Sequence, residues 1–154
     1  MSSTVADLLA PRAVIAQLRA GNKRQALQEI ARRAAALTGI AERRINDVLT
    51  ERERLGSTAI GRGVAVPHGK IAGLAHPFGL FARLERPIPF EAVDGDLVDL
   101  IFVLLVPADA EHLRALALVS RLLRDQTTCQ KLRGTDKADA LYALLTARAE
   151  SDAA

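Results

Sequence analysis

The chain has 154 residues, 49% of them hydrophobic and 25% charged, with a formal net charge of +3. That is the profile of one ordinary globular domain with a sizeable core. Aromatic residues are only 3%, Trp is absent, and arginines alternate with acids as in Glu51-Arg-Glu-Arg54. Stacking platforms and a uniform basic face are therefore missing, which argues against nucleic-acid binding. The weak positive balance suits steering of an acidic protein partner instead.

The elements follow in chain order. A first strand is expected over Ala13–Leu18. Residues Ala26, Leu27, Ile30, Ala34 and Leu37 fall at helical spacing and predict a helix over Lys23–Thr38, closed by Gly39. A second helix is expected over Ala41–Leu55, with Ile45, Val48, Leu49 and Leu55 on one stripe. Ala59–Val66 reads as a short strand and Pro77–Leu84 as another. The apolar run Leu97–Val106, bounded by Asp94-Gly95 and Pro107, reads as a strand buried on both faces. Asp109 is an N-cap candidate for a helix to about Arg124. Asp125-Gln126 interrupts it, a short helix runs to Arg133, and Asp136 caps a last helix to about Ala147. Helices on either side of a set of strands imply a single α/β domain over residues 1–154, with helices on both sheet faces and a frayed tail from about residue 148.

No segment has the makeup of a secretory signal, and the longest apolar run is broken by Asp99 and too short to span a bilayer. One cysteine, Cys129, excludes an intrachain disulfide and fits a reducing compartment, so a cytoplasmic protein without membrane insertion is expected.

The segment Val64-Ala-Val-Pro67-His68-Gly69-Lys70 carries the clearest chemical signal. Pro67 fixes its own φ and pushes Val66 into the extended region, while Gly69 has no Cβ and lets another molecule approach the backbone. Read alone, this is either a strand that delivers a nucleophilic imidazole to an open corner or a hairpin turn with a surface histidine. Two residues give His68 company. Arg52 lies four after Val48 and three after Leu49, which turns a guanidinium onto the apolar stripe, and its planar fork suits phosphate. The bland alternative is an arginine that reaches solvent or a nearby carboxylate. His112 falls in the first turn after Asp109, where the helix dipole favours anions and a neutral imidazole. It is either a site residue or a solvent-facing one. His76, in Ala75-His76-Pro77, reads as a loop residue.

Other motifs fail. Gly56-Ser-Thr-Ala-Ile-Gly61-Arg-Gly63 has P-loop glycine spacing without the Lys-Ser/Thr that holds terminal phosphates and magnesium. The three histidines show no helical pairing, so no metal site and no cofactor is expected.

The stretch from Leu49 to Lys70, with Arg52, Gly56-Ser57-Thr58, Gly61, Gly63 and Pro67-His68-Gly69-Lys70, resembles the active-site region of enzyme IIA of the phosphotransferase system, fructose/mannitol class. The stretch Leu84 to Asp109 is similar to the nitrogen-regulatory branch of that class, and the resemblance runs from about Val5 to about Ala147. It implies a mixed β-sheet between helices and a phosphoryl carrier without metal or nucleotide. It implies that His68 accepts a phosphoryl group on Nε2 from a phosphohistidine of HPr or its nitrogen-branch counterpart, NPr, beside Arg52 and the second active-site histidine, His112. Ser57 and Thr58 are candidate polar neighbours, and backbone N–H groups around Gly69 and Lys70 are candidates to receive phosphate oxygens. Gly69 would leave room for a partner's loop, and Phe78 and Phe81 are candidates for an apolar docking patch. With no IIB or IIC segment in the chain, the resemblance implies a regulator whose phosphorylation state controls targets such as potassium-transport or sensor-kinase components. A stand-alone sugar enzyme IIA that passes phosphate to a IIB domain is the alternative within the same chemistry. A phosphorylation-independent binding module is the alternative of another class.

Overall fold

The computed structural model describes residues 4–107 and 109–147, without the side chains of 109–111. The Asp109 cap side chain and the tail from about residue 148 lie outside the described residues.

The chain opens with a single helical turn, α1 (Val5–Leu8), and strand β1 (Leu9–Leu18). Helix α2 (Lys23–Thr38) starts where Asn22 Oδ1 accepts the Gln25 N–H at 2.9 Å and ends at Gly39, whose φ of 77° suits a residue without Cβ. Helix α3 (Glu42–Arg54) follows, then β2 (Ala59–Gly61), β3 (Val64–Ala65), β4 (His68–Lys70), β5 (Phe78–Ile88) and β6 (Val98–Val106). Helices α4 (Asp109–Arg124), α5 (Gln126–Arg133) and α6 (Ala138–Thr146) complete the chain. Asp125 caps α5 by accepting the Thr127 N–H at 3.1 Å. Asp136 does not cap α6: Lys137 holds that position without a side-chain bond, and Asp136 instead accepts from Gln17.

The sheet is mixed, in the order β1-β5-β6-β3-β2, with β4 also on β6. The β5–β6 and β2–β3 pairs are antiparallel; the others are parallel. β6 is buried at every residue from Leu100 to Val106. Successive residues of a strand point to opposite faces, so both faces of β6 are covered. Helices α2 and α3 pack together and reach β1, β5 and β4, while α4 and α6 reach β6 and β1 with α5 between them. Full burial of Ile45 and Leu49 anchors α3 by about 2 kcal/mol each. Leu55 is not on that stripe: it is the C-cap residue, 84% exposed. Among the described residues no helix is long and apolar enough to cross a membrane.

The expected strand over Ala59–Val66 is a hairpin. Gly61, Arg62 and Gly63 turn it with φ of 101°, 57° and 82°, so the glycines of the P-loop-like spacing serve a tight turn. The strand then does not stop at Pro67. Val64 pairs with Leu100 and Ala65 with Ile101; His68 pairs with Leu104 and Lys70 with Val106, in unchanged register. Pro67 contributes its carbonyl to the Leu104 N–H at 3.0 Å but has no N–H to return, which is why the ladder splits there. His68 therefore sits on a sheet strand rather than on a corner.

Gly69 has a different task from the one expected. A Cβ there would lie 2.2 Å from Val48 Cγ1, so the space is taken by α3 of the same chain. We expect Gly69→Ala to destabilise the fold by about 1–3 kcal/mol through overpacking. Urea denaturation measures this, and Val48→Ala in the same chain should recover part of the loss.

Candidate functional site

Strand β4 places the His68 ring between α3 and α4. It is 9% exposed, and its Nδ1 lies 2.8 Å from the Val66 carbonyl oxygen. A carbonyl only accepts, so Nδ1 carries the proton and the neutral ring keeps its lone pair on Nε2. Burial pushes the His68 pKa below its ordinary value, and the charges of His112 and Arg52 push the same way. The Val66 carbonyl and the Glu53 carboxylate oppose that shift. The result is an unprotonated nucleophilic nitrogen in a poorly hydrated place.

His112, on α4, brings its ring to a centroid distance of 4.8 Å from that of His68, edge to face at 76°. The two histidines are separated by 44 positions in sequence (112 minus 68) and meet because β4 and α4 both lie on β6. Arg52 is half-buried at the end of α3, with Nη1 donating to the Gly56 carbonyl at 3.0 Å and further N–H donors on the same fork. The structure thus brings together His68, Arg52 and His112.

The neighbouring position on α3 holds what the sequence reading missed. The inward-facing residue is Glu53, 8% exposed, rather than Arg52. Its carboxylate accepts from Lys23 Nζ at 2.7 Å, from the Thr58 N–H at 3.2 Å and from the Thr58 hydroxyl. Lys23 also reaches Glu91 at 3.1 Å and lies 4.8 Å from the centre of the Phe90 ring. A signal existed in the sequence: Lys23 opens α2 and Glu53 ends α3, two helices joined by a short connection. Residues at opposite ends of such a pair come side by side when the helices pack antiparallel.

The other candidates fall as follows. The Ser57 hydroxyl donates to the Phe90 carbonyl at 2.6 Å and accepts from the Ala59 N–H, and the Thr58 hydroxyl is committed to Glu53. Both side chains hold the turn into β2. The ladder between Pro67 C=O with Leu104 N–H and Ile71 N–H with Val106 C=O turns the Gly69 N–H towards β6, away from any ligand. Lys70 is exposed at the end of β4. Phe81 is fully buried and Phe78 half-buried, so Phe81 is core. The large exposed apolar residues near the site are Leu55, three after Arg52, and Leu113, next to His112 and 75% exposed. His76 is an exposed loop residue. Cys129 is buried, donates to the Leu123 carbonyl, and burial pushes its thiol pKa up, as for a structural cysteine. Among the described residues no group of three or more His, Cys, Asp or Glu could hold a metal ion.

The depressed His68 pKa has a stability consequence. Below about 6.5 the unfolded chain binds a proton at His68 that the folded chain refuses. The associated stability is therefore complete above pH 6.5 and is lost as pH falls through the folded pKa. We expect wild type to lose more stability than His68→Gln between pH 7 and 5 in denaturant titrations. The His68 ring signals should also titrate below the ordinary histidine range.

Residues 7–148 match the family described as phosphoenolpyruvate-dependent sugar phosphotransferase system, EIIA 2. The chain is 54% identical over 143 residues to a protein of Bradyrhizobium diazoefficiens named nitrogen regulatory protein, covering 92% of this chain and 94% of that one. It superposes with a TM-score of 0.86 and 31% identity on the crystal structure of nitrogen regulatory protein IIA-Ntr from Neisseria meningitidis, over 92% of this chain and 99% of that one. IIA mannitol from Escherichia coli shares the fold, with a TM-score of 0.74 at 20% identity over 88% and 97% of the two chains.

Proposed function

The chain belongs to the EIIA 2 family of the phosphotransferase system, and on that premise we propose that it is a regulatory phosphoryl carrier with His68 Nε2 as the acceptor. The observation that carries the reading is the Nδ1 contact with the Val66 carbonyl, which leaves Nε2 as the free nucleophile.

The transfer follows from that geometry. A carrier such as HPr or NPr presents a phosphohistidine, and His68 Nε2 attacks phosphorus in line. The N–P bond on the carrier breaks as the new Nε2–P bond forms, and the electron pair returns to the carrier's nitrogen. The His68 ring gains positive character, which its Nδ1–H passes to the Val66 carbonyl as a charge-assisted hydrogen bond. Arg52 offers guanidinium donors to the equatorial oxygens, and His112 offers its ring N–H from across the edge contact. Alignment and fixed donors supply the catalysis, without protonation of the nucleophile.

Leu55 and Leu113 flank Arg52 and His112 and form the apolar part of the carrier's landing surface. Phe81, fully buried in the core, takes no part in it. The relatives named nitrogen regulatory proteins support a signalling output. In that reading the phosphorylated and free forms differ in their binding to regulatory targets such as potassium-transport or sensor-kinase components.

Intact mass after incubation with a phosphorylated carrier tests the acceptor. Wild type should gain one acid-labile phosphoryl group and His68→Ala none. Absence of label on wild type with an active carrier overturns the reading in favour of a phosphorylation-independent binding module. Efficient onward transfer to a sugar IIB domain would overturn the regulatory assignment. Leu55→Asp and Leu113→Asp should each raise the KM for the carrier roughly tenfold, about 1.4 kcal/mol, with kcat nearly unchanged.

A further inference from the structure

An ion pair between half-buried Lys23 and buried Glu53 lies at the far end of a hydrogen-bonded path to His68. Lys23 Nζ meets Glu53 at 2.7 Å. Glu53 takes both the N–H and the hydroxyl of Thr58. The Thr58 carbonyl accepts the Val66 N–H at 3.0 Å, and the Val66 carbonyl accepts from His68 Nδ1 at 2.8 Å. The path crosses from α2 to α3, to the turn before β2, and through β3 to the histidine.

We propose that Glu53 is a positioning residue for phosphoryl transfer: through Thr58 and Val66 it holds the carbonyl that selects the Nδ1–H tautomer of His68. The inference rests on His68 being the acceptor.

Three features favour this over a purely structural pair. Burying the Glu53 carboxylate costs desolvation that an apolar residue of like volume would avoid, and the Lys23 beside it is only half-buried. Every oxygen of Glu53 is occupied, two of its bonds by the same residue, Thr58, which leaves that turn one position. Among the described residues the Val66 carbonyl also has no second strand to hold it. The N–H of Val66 is bonded to Thr58, but Pro67 removes the next ladder donor towards β6. The residue that orients His68 is therefore steadied on one side by the turn that Glu53 grips.

The groups facing His68 are Arg52 and Glu53 from α3 and His112 from α4. A change at Glu53 thus alters the local field as well as the path. Thr58→Val separates the two, because it removes the hydroxyl bond and leaves every charge in place.

The test uses the full chain, with two readouts. Long-range nitrogen–proton NMR of the histidine ring reports the tautomer. Steady-state transfer from the phosphorylated carrier reports kcat and KM. Wild type should show Nδ1–H only. Glu53→Gln and Thr58→Val should each show a mixture of tautomers, with kcat down roughly tenfold and the carrier KM unchanged. A folded Glu53→Gln or Thr58→Val that keeps the single tautomer and the wild-type kcat overturns the proposal. If Glu53→Gln does not fold, Thr58→Val alone decides. If wild type takes no phosphate, the acceptor reading has failed, and the tautomer readout still decides whether Glu53 orients the ring.

Discussion

The register of one strand on β6 is the constraint from which the site follows. Val64 to Lys70 runs beside Leu100 to Val106 without slipping, although Pro67 interrupts its hydrogen bonds. A slip of one residue would turn His68 to the other face of the sheet and remove it from Arg52 and His112. The register is held because β6 is buried on both faces and leaves no alternative partner for its apolar residues. Once β4 is placed, the Val66 carbonyl falls 2.8 Å from Nδ1, and a backbone atom decides which ring nitrogen of His68 keeps its lone pair.

Helix α3 then has to approach β4 closely, and Gly69 permits it. Val48 occupies the place of a side chain on Gly69, so the helix end carrying Arg52 and Glu53 lies against the histidine strand. The two adjacent residues divide the work. Arg52 stays half-buried with donors to spare and disfavours a proton on His68. Glu53 turns inward and joins α2, the turn before β2 and the loop at Phe90 into one polar cluster with Lys23. Burial, aided by Arg52 and His112, outweighs the Val66 carbonyl and the Glu53 carboxylate and keeps the imidazole pKa below its ordinary value.

Much of the fold was legible because its signals are local. The periodicity of Ala26, Leu27 and Ile30, the stop at Gly39, the cap at Asp125 and the apolar stretch Leu100–Val106 of β6 each depend on residues within a few positions of one another. The misses are of another kind. Asp136 looked like a cap, yet Lys137 holds the position at the start of α6. Leu55 fits the helical stripe by spacing, but the helix has ended and it faces solvent. The three residues of β4 show no alternation, because a strand that short carries no period. Of the candidate site, His68 was singled out by Pro67 and Gly69, Arg52 by its spacing on the helical stripe and His112 by its place after Asp109, and the resemblance joined the three.

The run of helices and strands and the family could be read from the chain alone, since these reside in local spacing and in an ordered motif. That Gly69 makes room for Val48, that the ring of His112 meets that of His68, and that Glu53 rather than Arg52 turns inward emerge only once the elements are packed. Each depends on the distance between segments far apart in the chain, which close packing sets and periodicity cannot encode.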